Sequence, residues 1–145
     1  MTSDTGNETT STITRELVPE HRRADFVEAL FGIAFPLQFE PCVFNIAVAL
    51  SDQYKGAYWN FYSLSGGGFC MAPDDDHDFN VRCENGFEGV MSADAFGITC
   101  CLYAFSHLSF TANGEIAKVY ARSYHVLREF AMDHAEVAAI VAATD

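Results

Sequence analysis

The residues best able to do chemistry lie between positions 66 and 94. Asp74, Asp76 and Asp78 alternate as the first three ligands of a calcium loop do, but the sixth position is Phe79 and the twelfth is Asn85. The turn glycine and the bidentate carboxylate of such a loop are therefore missing. Cys70, His77 and Cys83 are separated by six and five residues, which is not a zinc-ligand spacing. Strand alternation would also scatter their directions. Gly66, Gly67 and Gly68 precede no lysine and open no helix, so they read as a turn needing positive φ and not as a phosphate cradle. There is no Gly-x-Ser-x-Gly nucleophile motif, and Cys100 and Cys101 fall inside an apolar helical stretch. No catalytic, metal or cofactor constellation is expected.

What remains is charge. From residue 74 to residue 94 there are seven acids and one base, Arg82, so this stretch holds −6 of the chain's −12. Asp74, Asp75, Asp76 and Asp78 concentrate four carboxylates in five residues. His21, Arg22 and Arg23 form the most basic spot. These seven residues are the candidates for contact with a protein partner, because loops carry binding more often than core strands do. So acidic a chain would be repelled by a phosphate backbone, and no direct nucleic-acid binding is expected.

The elements that position these residues are organised around the stretch 92–110. Ser92 is a good N-cap and Asp94 complements the helix dipole. Phe96, Cys100, Ala104 and Leu108 fill one face, while Ile98, Cys101, Leu102 and Phe105 fill much of the rest. A helix apolar nearly all round belongs in a core. Gly97 inside it predicts close approach of another backbone. Before it, Phe26, Val27, Leu30 and Phe31 mark a helix starting near Pro19, Phe35 and Pro36 break the chain, and a second helix runs over 38–53. Residues 58–64 and 69–73 form one hairpin; residues 78–84 and 87–91, joined by Asn85-Gly86, form another. A long helix over 115–133 and a short terminal one follow. The fold class is thus α+β: a four-stranded antiparallel meander packed on a buried central helix, with further helices at both ends. Residues 1–14 are polar and are expected to form a disordered tail, with order beginning at Val18 and a single domain over 15–145. No signal peptide or spanning segment is evident, and five unspaced cysteines suit a reducing compartment. A cytoplasmic monomer with no membrane association is expected.

Several blocks together resemble the ArdB/KlcA antirestriction family. They are Val18-Pro19-Glu20-His21-Arg22-Arg23 leading to Leu30-Phe31-Gly32, then Tyr58-Trp59-Asn60-Phe61-Tyr62, Gly67-Gly68-Phe69 and Met71-Ala72-Pro73. Met91-Ser92-Ala93-Asp94-Ala95-Phe96-Gly97-Ile98 and the helix around Tyr124, His125, Leu127, Arg128 and Phe130 complete the set. The resemblance implies a small α+β protein of plasmids and related mobile elements. It implies protection of incoming DNA from host type I restriction–modification enzymes, but it supplies no mechanism. With no catalytic constellation in the sequence, action without catalysis, through contact with that complex or an associated host factor, is expected. The alternative from another class is a small cytoplasmic hydrolase of unknown substrate using Asp94 or His77.

Overall fold

The computed structural model describes residues 12–145, so most of the expected tail lies outside the described residues. Order starts earlier than Val18. Strand β1 (Arg15–Leu17) pairs antiparallel with β2 (Trp59–Leu64), Arg15 opposite Leu64 and Leu17 opposite Tyr62. Thr14 is already fixed, its N–H donating to Ser65 Oγ at 2.8 Å. Three residues without alternation give no local strand signal; the strand is held by partners more than forty positions away.

A single turn of 3-10 helix, Glu20–Arg22, leads into α1 (Arg23–Phe31). Gly32 at φ +60 ends α1. Phe35 and Pro36 do not leave an open break: Phe35–Phe39 forms a π-helical turn that runs directly into α2 (Glu40–Leu50). Pro lacks an N–H, but the first helical turn has no intrahelical acceptor for one. The helical segment Glu20–Phe31 meets the segment Phe35–Leu50 at 92°. No single helix among the described residues is long and apolar enough to cross a membrane.

The strands fold as two sheets, where one four-stranded meander was expected. Sheet one has the order β1-β2-β3, with β3 covering Gly68–Pro73. Sheet two is the hairpin of β4 (Asp78–Arg82) and β5 (Glu88–Ser92). Pro73 ends β3 without an N–H to donate to a ladder, and the charged loop after it carries the chain away before β4 begins. The β4–β5 turn also differs from a two-residue Asn-Gly turn. Gly86 N–H donates to Cys83 O, Cys83 N–H donates to Phe87 O, and Gly86 sits at φ +96. That is a three-residue loop with glycine in the bulge position.

Helix α3 (Ala93–Thr111) passes under both sheets, as its all-round apolarity predicts. Ser92 caps it, accepting from Ala95 N–H at 3.2 Å. Phe96, Ile98, Cys100, Cys101 and Phe105 are fully buried and Leu102 is 1% exposed. Phe96 stacks on Phe79 of the hairpin at 4.7 Å, and Phe105 stacks on Phe39 at 4.5 Å. A methyl group added at Gly97 would run into Ala72 and the Met71 carbonyl oxygen, so β3 lies directly on the helix there. Helix α4 (Gly114–Ala131) packs along α3, and α5 (Val137–Thr144) closes the far side, where Tyr103 OH donates to Ala143 O.

Candidate functional site

The acidic loop leaves β3 at Pro73. Asp74 N–H donates to Tyr58 O at 2.7 Å, which anchors the loop to the strand beside it. Asp75 folds back on its own loop: its Oδ1 accepts from His77 N–H at 2.8 Å and pairs with His77 Nδ1 at 2.5 Å. The backbone N–H of His77, then its ring, hold the Asp75 carboxyl below its ordinary range, and Asp75 in turn raises His77. Asp74, Asp76 and Asp78 are exposed. The loop therefore presents three uncovered carboxylates, with the fourth partly neutralised by its own histidine.

The basic turn splits. His21 and Arg22 are exposed. Arg22 lines a groove of about 360 Å³ between β1 and α1, together with Glu16, Leu17, Asp25 and Phe26. Arg23 is committed to the fold: its guanidinium lies 3.7 Å from the Phe61 ring centroid and 4.9 Å from that of Tyr58. It also donates to Tyr58 OH at 2.6 Å. Arginine, with its planar guanidinium, stacks on aromatic faces in this way more often than lysine. Tyr58 thus connects the two candidate regions, its hydroxyl held by Arg23 and its carbonyl by Asp74. They meet through that residue and not through an ion pair between them.

A third polar cluster, which periodicity and spacing did not reveal, lies at the start of α3. Asp94 accepts from Arg15 at 2.8 Å through Oδ1 and from His134 Nε2 at 2.8 Å through Oδ2. His134 Nδ1 accepts Glu136 N–H at 2.9 Å, which places a ring proton on Nε2. Glu136 in turn takes Ser92 N–H at 2.9 Å and Ser92 Oγ at 2.5 Å. Arg15 lies 4.3 Å from the Tyr62 ring centroid and 5.4 Å from that of Phe130. Burial alone would raise the Asp94 carboxyl; the hydrogen bonds and charges of Arg15 and His134 outweigh it and hold the group below its ordinary range. Asp94 is thus a structural joint among β1, α3 and the α4–α5 connection, with both its oxygens engaged. The sequence placed Asp94 at a helix start, but its partners lie 79 and 40 positions away.

No group of three or more His, Cys, Asp or Glu side chains among the described residues converges as metal ligands would. Burial pushes the Cys70 thiol up to about 12 and holds Cys100 and Cys101 well above the ordinary thiol range. These are core side chains without thiolate character.

Residues 52–145 match the family model described as Antirestriction protein. The chain is 40% identical over 135 residues to an antirestriction protein KlcA of Escherichia coli, covering 92% of this chain and 95% of that one. It is 39% identical to the Escherichia coli K12 protein YafX over 88% of this chain and 85% of the relative. A solved structure superposes with a TM-score of 0.87 at 39% identity, covering 97% of this chain and all of the other. That work describes KlcA and ArdB as showing a novel fold and antirestriction activity against type I DNA restriction systems in vivo but not in vitro. The likeness spans nearly the whole chain in both sequence and fold, and the protein belongs to the antirestriction protein family.

Proposed function

We propose that this protein protects incoming mobile-element DNA from the type I restriction–modification systems of its host, without catalysis, through contact with protein. The observation that carries the reading is the near full-length likeness to KlcA, together with the type I activity described for KlcA and ArdB. Activity in cells but not in vitro, as described for those relatives, favours a route through a component that purified mixtures lack. The partner is a type I complex or a host factor associated with it, and the need for the cell favours the host factor. The charge of the chain argues against direct DNA contact. Both oxygens of Asp94 are taken by structural partners, which leaves the hydrolase alternative without its first candidate acid. The protein acts as a cytoplasmic monomer in this reading.

The contact surface centres on Asp74, Asp75, Asp76 and Asp78, joined by His21 and Arg22 of the basic turn, whose neighbour Arg23 holds the Tyr58 hydroxyl. Exposed carboxylates this close repel one another weakly, and a basic partner relieves that repulsion and makes association salt-sensitive. Replacing all four aspartates by asparagine tests the surface. The folded variant is expected to lose protection of unmodified phage in restricting cells while keeping the parental circular dichroism spectrum. Parental protection by that variant would exclude the loop as the site.

A further inference from the structure

The turn between β4 and β5 carries an amide whose N–H donors go to the other end of the chain. Asn85 is exposed, yet its Nδ2 donates to the carbonyl oxygens of Ala142 and Asp145 at 3.0 Å each and of Ala143 at 3.3 Å. These carbonyls lie at the end of α5, where a helix leaves them without N–H partners. On its other side Asn85 Oδ1 accepts Phe87 N–H at 2.9 Å. Carbonyls on one side and an N–H on the other assign the orientation of the amide. Asn85 is therefore a latch that ties the hairpin turn to the terminal helix, next to the second tie from Tyr103 OH to Ala143 O.

The residue after this latch is Gly86, whose peptide nitrogen carries the least steric hindrance of any residue. From this juxtaposition we infer that Asn85 is a site of spontaneous self-modification whose product releases α5. Gly86 N attacks Asn85 Cγ, and an N–C bond forms as the Cγ–Nδ2 bond breaks. The proton from Gly86 N leaves with the amide nitrogen as ammonia. Water then opens the cyclic imide to aspartate or isoaspartate. Phe87 N–H already sits on Oδ1, the atom where negative charge develops during attack. Gly86 N–H is held by Cys83 O at 3.1 Å, so opening of that turn bond precedes the reaction. The product has lost the donors that faced α5 and sets a carboxylate against the negative end of its dipole.

The chain contains a second Asn-Gly pair as an internal control. Asn113 stands at the N-terminus of α4 and makes no side-chain cap hydrogen bond. A carboxylate there would face the positive end of a helix and would release nothing.

The full chain is aged in warm, mildly alkaline buffer. Peptide mass mapping then reads exchange of amide NH2 for OH at both asparagines, and hydrogen exchange reads α5. The expected result is about five- to tenfold faster exchange of the α5 amides in molecules modified at residue 85, with no dependence on residue 113. Asn85→Asp should show that faster exchange from the start; if it does not fold, the aged parent carries the comparison. Two results overturn the inference: Asn85 keeping its amide in the folded chain while the denatured chain converts, or α5 protection unchanged once residue 85 is modified.

Discussion

Asp94 joins three segments that are distant in sequence, and its charge state therefore bears on the whole fold. Its folded pKa is below the ordinary 3.8, so it contributes stability that is fully present above that value and is lost as pH falls through the lowered one. Asp94→Asn is expected to cost about 1.5–3 kcal/mol at neutral pH, the range for hydrogen bonds to charged groups. The gap between parent and variant should close below about pH 4, as urea unfolding at a series of pH values will measure. A gap independent of pH would assign the loss to packing. Gly97 offers a separate test. Alanine gains roughly 1 kcal/mol of helix propensity, but its methyl would meet Ala72 and the Met71 carbonyl. Gly97→Ala should therefore be destabilising by about 1–3 kcal/mol, as forced overpacking is. A higher melting temperature would show that β3 can move away.

Helix α3 was legible because its pattern has no polar face, and burial on every side is the one arrangement that suits it. Leu102→Ala should accordingly cost about 2–5 kcal/mol in denaturant unfolding. A loss well under that range would mean the surroundings collapse into the space. The hairpins were legible from their glycines and aromatic runs. The division into two sheets was not, because it depends on which strands meet across the Pro73 loop and on Arg15–Leu17 taking a sheet edge. Propensity carries no information on either. Much the same holds for the candidate site. Spacing exposed the four loop aspartates, whereas the ring stack of Arg23 and the Asp94 joint arise from residues that only the tertiary fold brings together.

At the scale of the molecule, the net charge of −12 sits on a fold that keeps one arginine stacked on the rings of Tyr58 and Phe61 and another locked into an ion pair. So acidic a surface is unsuited to a phosphate backbone. The chain belongs to the antirestriction family, of which KlcA and ArdB are described as active against type I systems in vivo. The most direct measurement is the plating efficiency of unmodified phage on a host with a type I restriction system, with and without this protein, against an isogenic host lacking restriction. Protection should raise plating on the restricting host toward the level of the non-restricting one and leave the latter unchanged. Equal plating on the restricting host with and without the folded, expressed protein would contradict the account.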